Sequence, residues 1–371
     1  MTPDPDATVH PGKPTAGTPR WTLLLPALAL GLGIVAEFAL DGPVPGLLLI
    51  AAAPFLFAAV FAAVHHAETV ALRIGQPFGS IVLAMSVTLI EVSLIVSFLL
   101  SAPPGESTVA RDTVFAAIMI VLNGIVGLCL VVGGVRHHRQ GFQVHGATAA
   151  LGVLGTLAVL GLILPNYTLA VPGPVYAPAQ LVFVAVISLV LYGLFLYVQT
   201  VSHRDDFLDA VSADAHGAPS RRNFAISLGA LPASLVAVVL LAEVMAHPVE
   251  HGIVSAGLPV ALVGVIIAAV VLLPEGIAAV RSARANRLQT SLNIALGSAL
   301  ASLCLTIPTV AIISLMRGQT LVLGLEAELI VLLILSLYMA TLTLATGRTT
   351  VLQGGIHLVI FAAFLTITAI P

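Results

Sequence analysis

Long apolar runs alternate with short polar segments along almost the whole chain. Eleven runs reach or approach the roughly 20 residues that an α-helix needs to cross the hydrocarbon layer of a membrane. Because they are continuous, with no period of two, they indicate helices and not the strands of a transmembrane barrel. The runs lie at about residues 21–40, 46–64, 78–100, 112–134, 146–165, 178–201, 224–246, 256–280, 289–316, 321–345 and 350–370. The pattern predicts an all-α polytopic membrane protein with about eleven transmembrane helices.

The composition agrees with this fold class. Of 371 residues, 59% are hydrophobic and 8% are charged, which leaves too little polar surface for a soluble globule. The lipid bilayer is therefore the expected partner. A net charge of −3 without a sustained basic stripe gives no footprint for nucleic acid. Cys129 and Cys304 both lie in apolar runs, where we expect small packing residues and neither a disulfide nor a metal pair.

The first apolar run follows a polar N-terminus. Residues 1–20 are rich in Pro and Thr and are predicted to be a disordered cytoplasmic segment. The run at 21–40 is longer than the apolar core of a secretory signal, which is about 7 to 15 residues. Ten further runs follow it, so we interpret it as a retained transmembrane helix.

The basic residues predict an orientation. With the N-terminus in the cytoplasm, only Arg111 and Arg317 of the 14 Lys and Arg residues fall on the opposite side of the membrane. Cytoplasmic loops of membrane proteins carry an excess of Lys and Arg. The bias therefore predicts a cytoplasmic N-terminus and a periplasmic or extracellular C-terminus. Losing or adding one span in the middle of the chain would remove this bias of basic residues to one side.

A polar linker at 202–223 divides the chain into two halves. Apart from the first helix, five runs precede it (46–201) and five follow it (224–371). Because five is odd, the two halves must cross the membrane in opposite orientations, as in inverted-repeat transporters. The linker is interpreted as a solvated cytoplasmic loop, with cation sensing as the alternative for its aspartates Asp205, Asp206, Asp209 and Asp214.

A glutamate interrupts an apolar run at a matching place in each half: Glu91 in "VTLIEVSLI" and Glu275 in "VVLLPEGIAAV". A charge at the centre of a bilayer costs about 2.5 to 3.5 kcal/mol on insertion scales, so it is expected to face a partner or a water-filled path. Polar residues precede both glutamates, and the runs that follow are also alike, "NGIVGLCLVVGG" and "GSALASLCLTIP". We therefore interpret Glu91 and Glu275 as a pair.

Two carboxylates at a repeat interface can do two kinds of chemistry. They form a hard-oxygen site of the kind that Ca²⁺ prefers. They also form a proton site, since neighbouring carboxylates in a low dielectric resist simultaneous ionisation. The alternative for each is a structural hydrogen bond to a neighbouring helix. Pro274, before Glu275, is expected to break or kink its helix and free carbonyl oxygens as further ligands.

Other polar residues are candidates for supporting roles. Neutral ligands are predicted at Thr88, Asn123, Ser298 and Ser302, with ordinary helix packing as the alternative. Gating or proton relay is predicted, with a merely solvated interface as the alternative, for Glu68, Glu250, Glu243, His65, His66 and His247.

The runs "TLIEVSLIVSFLL", "ARDTVFAAIMIVLNGIVGLCLVVGG" and "RSARANRLQTSLNIALGSALAS" resemble the calcium/cation antiporter superfamily, in particular its bacterial ChaA-like calcium/proton branch. The resemblance covers roughly residues 20–371. It implies that Glu91 and Glu275 bind the metal cation and exchange it for protons. The wider family usually has asparagine three residues before each glutamate, whereas this chain has Thr88 and Leu272, so Na⁺ and K⁺ stay open beside Ca²⁺.

The predicted function is secondary antiport of Ca²⁺, and also of Na⁺ or K⁺, against protons, without a cofactor. A monovalent cation/proton antiporter is the alternative. An intramembrane enzyme would be expected to show a pattern such as H-E-x-x-H or G-x-S-x-G, and neither is found in the sequence. A channel would usually show a filter or a repeated ring of charges. The oligomeric state stays open.

Overall fold

The computed structural model describes residues 18–38, 46–75, 78–101, 108–207 and 219–371. These residues form eleven long helices, which confirms the predicted all-α polytopic class. Nine of the eleven are long and apolar enough to cross a membrane, and α1 and α3 contain shorter apolar stretches. The helices are α1 (Trp21–Phe38), α2 (Gly46–Ile74), α3 (Phe78–Ser101), α4 (Val109–His137), α5 (Val144–Tyr167), α6 (Pro178–Ser202), α7 (Arg221–Ser255), α8 (Ala261–Arg284), α9 (Leu288–Arg317), α10 (Ala327–Leu344) and α11 (Val351–Ala369).

After α1, the helices form two interlocked halves, α2–α6 and α7–α11. Helix α3 packs on α9 and α4 packs on α8, so the second helix of each half contacts the third helix of the other. The third and fifth helices repeat this exchange, since α4 packs on α11 and α9 packs on α6. Contacts that recur when the halves are exchanged are those of an inverted repeat. The predicted extra helix plus two inverted five-helix repeats is confirmed.

Two short pairings between links follow the same symmetry. Strand β1 (Gln140–Gly141), between α4 and α5, pairs antiparallel with β2 (Arg348–Thr349), between α10 and α11. At the opposite end, Val175 between α5 and α6 forms a bridge with Val322 between α9 and α10. We call the end with β1 and β2 the arginine-rich end, because it carries Arg20, Arg73, Arg136, Arg139, Arg204, Arg221, Arg222, Arg281, Arg284, Arg287 and Arg348. The opposite, arginine-poor end carries Arg111 and Arg317.

The buried apolar side chains form two clusters, and α3 and α8 lie between them. One cluster is centred on α1, α2 and α7, and the other is built mainly from α4–α6 and α9–α11. On α3, Leu94 belongs to the first and Ile95 to the second; on α8, Val271 belongs to the first and Leu272 to the second. The helices that carry Glu91 and Glu275 therefore line the seam between two packed groups.

Several helices differ from their predicted bounds. Helix α2 continues to Ile74 and α7 to Ser255, beyond the apolar runs, because helical hydrogen bonding does not require apolar side chains near the ends of a span. Helix α8 also continues through Pro274. A break at this proline, one of the two expected outcomes, does not occur; packing against neighbouring helices makes a proline tolerable inside a membrane helix. Residues 1–17 and 208–218, which include Asp209 and Asp214, lie outside the described residues.

Candidate functional site

Glu91 is enclosed on α3 with no exposed surface. The hydroxyl of Ser302, on α9, donates a hydrogen bond to Glu91 Oε2. Glu91 Oε1 has no hydrogen-bond partner among the described residues. The contact between α3 and α9 thus links the two halves through a carboxylate whose second oxygen has no hydrogen-bond donor within the described ranges.

Glu275 is buried on α8, with 8% of its surface exposed. Its Oε2 atom also lacks a partner in the described part of the chain. The charges of Glu91 and Glu68 both act on it, so the two predicted carboxylates lie within electrostatic range of each other. One unpartnered buried oxygen on each glutamate can accept a proton or coordinate a cation, and either would offset the cost of burying the charge.

The four predicted neutral ligands have different surroundings. Ser302 contacts Glu91 directly. Ser298 is buried one helical turn earlier on α9. Thr88 is buried one turn before Glu91, but its hydroxyl donates to the backbone oxygen of Ala84 at 2.9 Å. Among these residues, Ser302 is the one that the structure brings into hydrogen-bond contact with a carboxylate.

Asn123, the fourth, faces α10 and α11. It lies in a π-helical turn of α4, Ile120–Ile125, and its Nδ2 donates to Ser336 Oγ on α10 at 2.8 Å. Its Oδ1 lies 3.1 Å from Nδ1 of His357 on α11. The sequence analysis missed His357 and Ser336, although a lone histidine in the run "GGIHLVIF" was a possible signal. A ligand role for Asn123 stays a prediction.

The predicted relay histidines of α2 connect it to α1 and α7. His66 is fully buried, and its Nε2 lies 3.0 Å from the backbone oxygen of Thr22. A carbonyl can only accept, so Nε2 is the donor and Nδ1 accepts from Ser227 Oγ at 3.0 Å. The ring of His65 lies 5.6 Å from that of His66 and 6.5 Å from that of Trp21. The attachment of α1 through these rings was not predicted.

The predicted gating carboxylates lie on α2 and α7. Glu68 is exposed towards the arginine-rich end, and Arg281 of α8 acts on it electrostatically. On α7, Glu243 is exposed and Glu250 is half-buried. Their spacing of about two helical turns places both on one face of a continuous helix. Glu68 and Glu250 therefore lie towards opposite ends of the bundle, as expected from the inverted repeat, and their roles stay predictions.

A buried ion pair closes the arginine-poor end and was not predicted. Arg111 Nε lies 2.7 Å from Asp112 Oδ1, and both residues are buried at the start of α4. Arg111 Nη1 also donates to the backbone oxygen of Gly324 at 3.1 Å, and Nη2 lies 3.7 Å from the exposed Glu326. The interaction fixes α4 to the link between α9 and α10. The adjacent opposite charges in "ARDT" were its signal in the sequence.

The linker shows no metal site in the part that is described. Asp205 and Asp206 lie in a short 3₁₀ turn, Arg204–Phe207, where Asp205 is exposed and Asp206 is half-buried. Throughout the described residues, no group of three His, Cys, Asp or Glu side chains is arranged to hold a metal ion. Cation sensing by this segment stays a prediction.

Comparison with known proteins identifies the family. The model of the family described as sodium/calcium exchanger protein matches residues 44–201 and 226–369. The chain belongs to the sodium/calcium exchanger family. The first matched segment covers nearly all of α2–α6 and the second covers most of α7–α11, so the resemblance to cation antiporters is confirmed.

Two relatives illustrate the similarity within this family. The protein y4hA of Sinorhizobium fredii is 50% identical over 364 residues, which cover 96% of this chain and 98% of that protein. The sodium-potassium/proton antiporter ChaA of Escherichia coli is 34% identical and covers 93% and 94% of the two chains.

Solved structures of exchangers share the fold. The structure of YfkE, described as a Ca²⁺/H⁺ antiporter protein, has a TM-score of 0.71 at 18% identity and covers 94% of this chain and 100% of its own. The H⁺/Ca²⁺ exchanger CAX has a TM-score of 0.67 at 15% identity, with coverage of 93% and 87%.

Proposed function

We propose that this sodium/calcium exchanger family member is a secondary antiporter of the bacterial inner membrane. It exchanges Ca²⁺, with Na⁺ and K⁺ as further cargo, for protons at Glu91 and Glu275. No catalytic step and no cofactor enters the proposal.

The observation that carries the proposal is the pair of buried carboxylates, each with an unpartnered oxygen, on matching helices of inverted halves. A buried carboxylate is stable when it is protonated or when it neutralises a cation. One oxygen cannot hold a proton and coordinate the cation at the same time, so protons and the cation occupy the site in turn. This competition is the chemical requirement for antiport.

Alternating access would use the seam between the two apolar clusters. Helices α3 and α8 line that seam, and movement of the group of α1, α2 and α7 against the rest would open the carboxylates to one end or the other. We place the arginine-rich end and the N-terminus in the cytoplasm, following the excess of basic residues. Protons arrive from outside, neutralise the pair and leave inside, where the ionised pair takes up the cation.

Polar residues towards each end fit the two routes to the site. Glu68 is exposed and acts electrostatically on Glu275, which supports a relay role on the cytoplasmic side together with His65 and His66. Glu250, with Glu243 and His247, has the corresponding position on the other side. Ser302 and Ser298 complete the site on α9, with Thr88 and Asn123 as further predicted ligands.

The names of relatives support an exchange of cations for protons. One is named a sodium-potassium/proton antiporter, and a protein of Aphanothece halophytica, 25% identical, is named a Ca²⁺/H⁺ antiporter. These names agree on the proton and differ on the cation.

Proton flux in proteoliposomes tests the proposal. A pH dye inside the vesicles reports the proton movement that follows addition of CaCl₂, NaCl or KCl. We expect Glu91→Gln and Glu275→Gln each to reduce exchange by at least about 100-fold, because an amide can neither ionise nor neutralise a cation. Glu328→Gln, at an exposed carboxylate on α10, is the matched control and should retain exchange. Full exchange by either site variant would refute the proposal.

A monovalent cation as the physiological cargo is the second candidate. The observation in its favour is that two of the four predicted neutral ligands are engaged elsewhere, since Thr88 bonds to its own helix and Asn123 to α10 and α11. Ca²⁺ usually takes six to eight oxygen ligands. Proton flux with Na⁺ or K⁺ that Ca²⁺ neither drives nor competes with would establish this alternative over the calcium proposal.

A further inference from the structure

A cluster of four buried polar side chains joins α4, α10 and α11. His357 of α11 is fully buried; its Nδ1 lies 3.1 Å from Asn123 Oδ1, and its Nε2 lies 3.1 Å from Thr343 Oγ1. Asn123 Nδ2 donates to Ser336 Oγ at 2.8 Å. Asn123 is one of the predicted ligands, whereas the family assignment and the proposed cargo chemistry give His357, Ser336 and Thr343 no role.

The hydrogen bonds of the cluster have one consistent direction. Ser336 Oγ donates to the backbone oxygen of Leu332 at 2.7 Å, so it accepts from the amide nitrogen of Asn123. The Asn123 oxygen then accepts from Nδ1 of His357, and Nε2 of the neutral ring accepts from Thr343. This series of hydrogen bonds ends at the backbone carbonyl of Leu332 and includes the amide of Asn123, and neither group relays a proton. The geometry of the cluster therefore suits a structural role and not proton relay.

Glycines make this contact possible. A Cβ on Gly127 would lie 3.0 Å from the Cβ of His357, and a Cβ on Gly354 would lie 2.7 Å from the backbone oxygen of Gly127. Helices α4 and α11 can therefore approach closely only where both residues lack a side chain. The close approach brings His357 within reach of Asn123, one turn before Gly127.

The cluster meets the candidate site through the π-helical turn. Asn123 lies inside this turn, Ile120–Ile125, and Ile125 at its end packs on α8: a Cβ on Gly276 would lie 3.3 Å from Ile125 Cδ1. Gly276 directly follows Glu275. A π turn departs from the regular hydrogen-bond ladder of an α-helix and often occurs at functional sites, so a side-chain hydrogen bond at its centre is well placed to fix its shape.

We propose that His357 is a positioning residue: through Asn123 it holds the π turn of α4 and thereby the placement of Glu275. The transport consequence rests on the proposed function, whereas the effect on the π turn does not. His357→Leu removes the donor to Asn123. His357→Asn keeps an N–H close to the position of Nδ1 and is the conservative variant.

Two measurements on full-length protein test the proposal. In hydrogen–deuterium exchange, His357→Leu should raise the exchange rate of peptides covering 120–125, and His357→Asn should restore part of the protection. In proteoliposomes, His357→Leu should raise the KM for the cation about tenfold with kcat within about twofold, as expected for a weakened hydrogen bond that acts on binding. Thr366→Val is the control on α11, since the exposed Thr366 bonds to its own helix.

The two measurements test the role of His357 and the proposed function separately. Unchanged hydrogen exchange at 120–125 in His357→Leu overturns the proposal whether or not the protein transports cations. A wild-type protein without cation/proton exchange refutes the proposed function instead, and the exchange data still decide the role of His357. If His357→Leu and His357→Asn raise the KM equally, the proposal is overturned. It is also overturned if His357→Leu still raises the KM in an Asn123→Leu background, where the contact is already lost, because His357 then acts by another route.

Discussion

Glu91 and Glu275 lie on corresponding helices of the two halves but have different neighbours. Glu91 receives a hydrogen bond from Ser302 on α9. In the matching runs "GLCL" and "SLCL", the residue in the place of Ser302 is Gly127. Gly127 lies against His357 on α11 and brings no hydroxyl to Glu275.

The difference shows how an inverted repeat can keep one scaffold and divide its polar chemistry. In the second half, the third helix uses its side chain at this place to hold a carboxylate. In the first half, the third helix, α4, has Gly127 at this place, and α11 packs closely against it. The site is therefore asymmetric, with one anchored carboxylate and one whose position depends on backbone packing.

Restoring the symmetry in sequence should damage the fold. In Gly127→Ser, the new Cβ would lie 3.0 Å from His357 Cβ and 3.2 Å from Gly354 O, so α4 and α11 must separate. We expect a loss of about 1 to 3 kcal/mol in the free energy of unfolding, typical of overpacking. Thermal unfolding in detergent measures it, and an unchanged Tm would show that the close contact is not needed. Gly152→Ser, at a position with nothing within 4 Å of the new Cβ, is the control.

The fold could be predicted from the sequence because membrane spans have a strong local signature. Length and hydropathy define the helices, and five runs on each side of a polar linker require inverted halves. The limits of α2 and α7 could not be predicted in the same way, because His65, Glu68 and Glu250 look like helix ends although their backbone remains helical.

The site was predicted in part. A glutamate in an apolar run is conspicuous, and both Glu91 and Glu275 are buried inside the bundle. The surroundings of Asn123 could not be predicted, since they depend on a π turn and on an approach of α11 allowed by two glycines. Which face of α4 an amide occupies after one extra residue in a turn is a tertiary property without a local signal.

Shortening each glutamate sharpens the comparison further. Glu91→Asp withdraws the carboxylate from Ser302 and leaves both partners buried without their hydrogen bond. Glu275→Asp moves an oxygen that has no such partner. We expect exchange by Glu91→Asp to be about tenfold slower than exchange by Glu275→Asp, as for loss of one hydrogen bond to a charged group. Initial rates of Ca²⁺-driven proton flux, normalised to reconstituted protein, provide the measurement; equal losses would mean that the site is functionally symmetric.

Removing the hydroxyl alone should have the smallest effect. Ser302→Ala leaves Glu91 in place without its donor, and we expect the KM for the cation to rise about fivefold, because the carboxylate is less firmly oriented. Ser302→Thr keeps a donor and should restore most of the affinity. Thr309→Val provides the control on the same helix, since the hydroxyl of Thr309 bonds to Leu305 O of α9 itself. If Ser302→Ala binds the cation as well as the wild type does, the anchoring of Glu91 does not matter for cargo, and the asymmetry of the two carboxylates is structural only.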